Sequence, residues 1–301
     1  MFRKAAALLA APLLLITACA DEADDGALEV RTGDAAVSAL RSAPDAVADA
    51  GTARLEMVME MTLEGKTMEI RANGETDAAN EQMRMEMDMG SLFEDMAAAE
   101  GEELPPGFDE PWEVVADGST MYMRAPVFEM FGVSGWLSMS PEDMGTTAEE
   151  MGLGPGSYDF TQTLESLRGV IGDPEVVGEE EVRGVATTHY RASMDLSEAL
   201  ANAPAAQREE LKAAFEKLES TGDLGDAEIP GDIWIDEDDL PRRMRMEMDS
   251  MFAALGMDDG SMTMTMEMYD FGEDVDIEIP SADEVTPMTE VLGGLGGDLG
   301  S

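Results

Sequence analysis

The stretch that decides the fold is RLEMVMEMTL, residues 54–63. Leu55, Met57, Met59, Met61 and Leu63 take every second position, with Glu56, Val58, Glu60 and Thr62 between them. Successive side chains of a strand point to opposite faces, so this spacing gives one apolar and one mostly polar face. Helical geometry would scatter the same methionines round a cylinder, which argues for strand. The pattern recurs. Met83, Met85, Met87 and Met89 alternate with Arg84, Glu86 and Asp88, and Met121 and Met123 flank Tyr122. Met244, Met246 and Met248 flank Arg245 and Glu247, and Met262, Met264, Met266 and Met268 alternate with Thr263, Thr265 and Glu267. Together these stripes hold 16 of the 27 methionines, which assigns the methionine excess to one sheet face. Methionine is unbranched and polarisable and suits surfaces that adapt to irregular apolar partners. Such a face is either a core in which Met replaces Leu and Val, or the lining of a cavity for a flexible apolar ligand.

The N-terminus bears on the compartment. Arg3 and Lys4 precede an apolar run over residues 5–16, followed by Thr17, Ala18 and Cys19. A basic start, a short apolar segment and small residues at the cut form a secretory signal peptide, and the run is short for a membrane span. Cys19 is the sole cysteine, so no disulfide forms within the chain. Without residues 1–18 the chain holds 16 basic and 66 acidic residues, a net charge of 16 − 66 = −50. That field repels phosphate backbones and anionic headgroups, which excludes nucleic acid as a partner and opposes non-specific adhesion to membranes.

Along the chain, residues 19–34 read as an acidic tether. A helix follows to Gly51, with Pro44 breaking or kinking it. Residues 66–76 and 81–89 continue as strands, the first joined to the opening stripe by a hairpin at Gly65. Residues 112–116 and 120–124 flank an Asp117-Gly118 turn. Further strands are expected at 174–182, 184–196, 229–236, 242–250, 261–271 and 275–279, and helices at 158–171 and 197–220, with a short one around Leu92, Phe93 and Met96. Residues 288–301 form a Gly-rich tail expected to be disordered. The fold class is α+β: a large antiparallel sheet of ten or eleven strands with helices on one face. Eleven strands about 4.8 Å apart span roughly 50 Å if flat. Four helices about 10 Å across cover such a sheet only if it curls.

Several stretches resemble known proteins. ITAC at residues 16–19 resembles the lipobox of bacterial lipoproteins, whose cysteine is lipidated and becomes the mature N-terminus. STMYMR, GWLSM, DIWIDEDDLPRRMRMEM and MYDFGEDVDIEIPSADEV follow in an order that resembles the LppX/LprG family of actinobacterial lipoproteins and, more distantly, the LolA/LolB-like carriers. The resemblance covers residues 35–287. It implies a half-barrel sheet with helices on its concave face, enclosing a hydrophobic cavity. It also implies binding of an acylated lipid or lipoglycan and its transfer across the envelope. The chain would be a monomer, anchored to the outer face of the membrane through Cys19, with an envelope transporter as a further partner.

No enzymatic constellation competes. His189 is the sole histidine and sits mid-strand, and there is no GxSxG elbow, CxxC, HExxH, Walker loop or EF-hand spacing. The reading is therefore not an enzyme, with no cofactor and no resident metal. The expected cavity lining is Leu55, Met57, Met59, Met61, Met85, Met87, Met246, Met248, Met264 and Met266. Two alternatives stay open: a ligand-free surface interaction module, and a Cu(I) carrier built on thioethers.

Overall fold

A computed structural model of the chain describes residues 34–63, 65–101, 104, 107–108, 110–140, 174–195, 228–250 and 260–291. Helix α1 (Asp34–Ala50) opens it. Its buried residues Ala36, Leu40, Ala43 and Val47 are spaced by four, three and four positions, which places them on one side. Of the break or kink expected at Pro44, the break does not occur: the helix runs through Pro44, whose ring is fully buried. A proline removes one helical hydrogen bond, and packing of this apolar side offsets that loss. Gly51, at φ +81°, ends the helix and donates its N–H to the Val47 carbonyl at 3.3 Å.

Strands β1 (Thr52–Leu63) and β2 (Lys66–Asp77) form a hairpin at Gly65, whose φ of +76° suits glycine. Then come β3 (Gln82–Asp88), helix α2 (Gly90–Glu100), β4 (Trp112–Asp117), β5 (Thr120–Arg124), a 3₁₀ turn (Pro126–Phe131) and β6 (Trp136–Met139). After residue 174 come β7 (Glu175–Val182), β8 (Val185–Asp195), β9 (Glu228–Ile235), β10 (Pro241–Glu247), β11 (Ser261–Tyr269) and β12 (Val285–Pro287).

Among the described residues these twelve strands join one open sheet in the order β12-β6-β5-β4-β3-β2-β1-β11-β10-β9-β8-β7. Read outward from its middle, the sheet is two meanders. One runs from β1 to β6, the other from β7 to β11, and they meet where β1 pairs antiparallel with β11. Helix α1 lies across that seam. Val47 packs with Leu55, Met244 and Met268, while Ala36, Leu40 and Ala43 pack with Tyr190 and Ile235. The helix thus ties both meanders together on the methionine side. A third cluster, Val114, Met121 and Met139, forms the core of the first meander.

The structure corrects two expectations. The described residues form twelve strands, and one pair among them is parallel, β12 with β6. Residues 275–279 form no strand despite their alternation. Strand β11 is already flanked by β1 and β10, so the chain leaving it finds no free edge beside it. It instead crosses to the far edge, where Val285 pairs with Trp136. Met288, at the start of the expected tail, packs against the core of the first meander. The helices expected at 158–171 and 197–220, the tether and Cys19 lie outside the described residues.

A methionine face as candidate binding site

Residues directly opposite each other on antiparallel strands point to the same face, so the register determines which stripes meet. Met57 lies opposite Met266, which lies opposite Met244. Met59 lies opposite Met264, which lies opposite Met246. Met61 lies opposite Met262, whose carbonyl accepts the Met248 N–H at 2.8 Å. Three methionines on each of β1 and β11, with Met244 and Met246 of β10 and Met248 just past its end, form a three-by-three grid of thioethers across the seam. Met244 is buried beneath α1, and the other eight are half-buried.

The flanks of the grid are small or apolar. On β2, Ala72, Ile70 and Met68 stand opposite Met57, Met59 and Met61; on β9, Ile233 and Gly231 stand opposite Met244 and Met246. Beyond β2, Met87 stands opposite Ala72 and Met85 opposite Gly74. This extends the face to β4, where Trp112 stands opposite Met87. Phe93 of α2 stacks on Trp112 with ring centroids 5.8 Å apart, closing that end of the face with aromatic surface.

All ten residues expected to line a cavity fall on this one face. Leu55 differs from the rest: it is 2% exposed and sealed in the cluster beneath Val47, so it serves as core under the helix. Met244 and Met262 complete the grid and were not among the ten. Their place depends on β11 entering between β1 and β10, a pairing that no local pattern encodes.

The opposite face carries charge. Glu56, Glu267 and Arg243 are successive partners across β1, β11 and β10, and Arg243 continues opposite Trp234, which lies opposite His189. His189 stacks on Trp234 with centroids 4.1 Å apart. Its ring nitrogens lie 2.8 Å from an Asp232 oxygen and 3.1 Å from a Glu180 oxygen. The sole histidine is therefore buried and paired within the sheet. The Trp234 indole N–H donates to Glu180 at 2.9 Å, and with His189 it holds that carboxylate below the usual range. Burial pushes Glu267 up, but hydrogen bonds from Arg243 and Arg183 outweigh it and leave the group below its ordinary value.

Arg183 reveals how this edge folds. Arg183 and Gly184, at φ +50° and +80°, make the tight turn between β7 and β8, and both positive angles fit the twist of a two-residue hairpin. The Arg183 guanidinium pairs with Glu56 on β1 and Glu267 on β11, and lies 4.1 Å over the Tyr269 ring. In a flat sheet β7 and β1 would be about 24 Å apart, five strand spacings. The hairpin tip is therefore folded back over the charged face.

No group of three or more His, Cys, Asp and Glu side chains arranged to hold a metal occurs among the described residues. No helix among them is long and apolar enough to cross a membrane.

No protein-family model matches the chain. A protein of Streptomyces griseus, described as an uncharacterized 31.2 kDa protein in the rplA–rplJ intergenic region, is 30% identical over 166 residues. The match covers 52% of this chain and 49% of that protein, so the chain spans about half the length of this curated relative. Among solved structures, the chain is similar to LprF from Mycobacterium bovis, at 14% identity and a TM-score of 0.45, covering 82% of this chain and 97% of that one. It is similar to the Mycobacterium tuberculosis lipoprotein LppX at 12% identity and the same TM-score, covering 80% and 97%. A LolA superfamily protein from Nitrosomonas europaea matches at 9% identity and a TM-score of 0.32, covering 82% and 97%.

Proposed function

We propose that this protein is a lipid-anchored, extracytoplasmic carrier. It holds the acyl chains of a lipid or lipoglycan against its methionine face and carries them across the envelope. The observation that carries this reading is the grid. Nine methionines from three strands form a continuous apolar surface that is neither packed solid nor openly exposed. Unbranched thioethers follow the contour of a mobile chain better than branched side chains do. Each methylene that leaves water contributes about 0.8 kcal/mol, so about a dozen contribute roughly 10 kcal/mol before the cost of immobilisation. Carriage of this kind is passive: no bond is made or broken, and release follows when a membrane competes for the chains. Anchoring at Cys19 would keep the carrier close to its source.

The test is mass spectrometry of organic extracts from the full chain carrying Cys19→Ala, secreted by an actinobacterial host and washed free of loose lipid. A stoichiometric acylated lipid is the expected result, and a clean extract overturns the reading. In the same preparation Met59→Glu, which places a carboxylate at the centre of the β1 column, is expected to lower retention at least about tenfold, because an acyl chain gives the buried charge no partner. Met85→Glu is expected to do the same from β3. The intact anchor makes a separate prediction: the natural chain fractionates with membranes, and Cys19→Ala releases it still folded.

A further inference from the structure

We propose that the methionine grid is also a modification site: peroxide converts its thioethers to sulfoxides, and the oxidised face releases its acyl ligand. This rests on the acyl-ligand reading and adds a control to the same surface. The first observation is the choice of residue. Leucine and methionine exchange in apolar environments at little cost, and branched or aromatic residues are the better strand formers. Nine adjacent methionines are therefore not demanded by packing. What separates methionine from leucine chemically is the sulfur lone pair.

The second observation is access. Eight of the nine grid methionines are half-buried, so a small oxidant reaches them, whereas Met121, Met139 and Met268 lie buried in the cores. No thiol competes for the oxidant within the fold, since the sole cysteine is Cys19.

The third is the surroundings of each sulfur. A sulfoxide oxygen is a strong acceptor that needs a donor. Across each row the neighbours are other methionines, then Ala72, Ile70 and Met68 on one flank and Ile233 and Gly231 on the other. None of these side chains donates, and the backbone N–H groups between the strands are engaged in the ladder. Water satisfies the sulfoxide while the face is empty, but an acyl chain laid over it removes that water and returns nothing. Oxidation therefore favours the empty face without unfolding the sheet. In the reaction the sulfur attacks one peroxide oxygen. The O–O bond breaks, an S–O bond forms, and the departing hydroxide takes up the remaining proton. Methionine loses two electrons, and hydrogen peroxide leaves as one water.

The experiment uses full-length Cys19→Ala protein loaded with a fluorescent fatty acid, treated with graded hydrogen peroxide. Bound probe and peptide-mapped sulfoxides are followed together. The expected course is that sulfoxides appear on the half-buried grid methionines before Met121, Met139 and Met268, and that affinity falls at least tenfold in step with the grid sulfoxides, while circular dichroism is unchanged. Replacing the middle row by leucine (Met59→Leu, Met246→Leu, Met264→Leu) is expected to shift the loss, measured against that variant's own untreated loading, to much higher peroxide. The core control Met121→Leu with Met139→Leu is expected to behave like the parent. A parent that keeps its probe with the grid oxidised overturns the proposal, as does a middle-row variant that loses probe as readily as the parent. An untreated parent that takes up no probe overturns the acyl-ligand reading itself, and the two failures are thereby told apart.

Discussion

At the scale of single residues, Asp236 shows how much one carboxylate fixes. Its side chain is 3% exposed. One oxygen accepts the N–H groups of Asp238 and Leu240, each at 3.0 Å, and the other accepts Arg242 Nε at 2.6 Å. The turn between β9 and β10 is built round it, and Arg242 is held over the Phe271 ring. Asp236→Ala leaves two amides and a guanidinium unpaired, and is expected to lower unfolding stability by about 3–5 kcal/mol. The shift is read as a lower urea midpoint at an unchanged slope, and a wild-type midpoint would contradict the role given to the carboxylate. The sequence Asp-Glu-Asp-Asp-Leu-Pro reads as a turn on composition alone. Which of its three aspartates is buried does not, because burial depends on which of them Arg242 reaches across the turn and on Phe271 arriving from elsewhere in the fold. His189 is the same kind of case. Its mid-strand position is legible in its neighbours, but its partners Glu180 and Asp232 come from two other strands.

At the scale of elements, alternation identifies strands but not their neighbours. Hairpins announce themselves, and Gly65 and Asp117-Gly118 both mark real turns. The β1–β11 pairing has no local signature, and for that reason alternation puts the ten expected lining residues on a common face without revealing the grid. Residues 275–279 show the converse, since good alternation without a free edge makes no strand. Close approach between strands is equally hidden. A Cβ added at Gly74 would lie 2.7 Å from the Arg84 carbonyl oxygen and 3.1 Å from Leu55 Cδ1. The first contact is backbone in the paired strand β3 and cannot swing aside. Gly74→Ala is expected to cost about 1–3 kcal/mol, seen as a lower thermal midpoint, and a neutral result would mean that β2 and β3 separate easily.

At the scale of the whole molecule, charge sets the response to acid. Glu267 has a folded-state value below its unfolded one, which is about 4.3. Its contribution to stability is therefore fully present above that unfolded value and is lost as pH falls through the folded one. Because many other carboxylates titrate in the same range, the informative quantity is the difference between the parent and Glu267→Gln. That difference is expected to be constant from pH 7 to about 5 and to shrink below about pH 4. A difference that grows with acid would reverse the sign assigned to the pair with Arg243 and Arg183. The acid excess was plain from composition. What composition does not show is that arginines gather on one sheet face, where Arg183 ties a folded-back hairpin to strands far from it in the sheet.

The seam has a consequence for how the chain comes together. Arg54 lies opposite Tyr269, 269 − 54 = 215 residues later. The six strands of the first meander can pair among themselves as soon as they exist, but one side of β1 then waits for the last long strand of the chain. Pairings at such separation are slow to form, and until this one closes, two methionine-edged strands offer open hydrogen-bonding rows to any chain nearby. The complementary row of a second copy fits as well as its own. If two molecules exchange their later meanders, each seam is remade between chains and each carries a whole grid. The swapped dimer would then have two complete binding faces, and concentration during folding would decide how much of it forms.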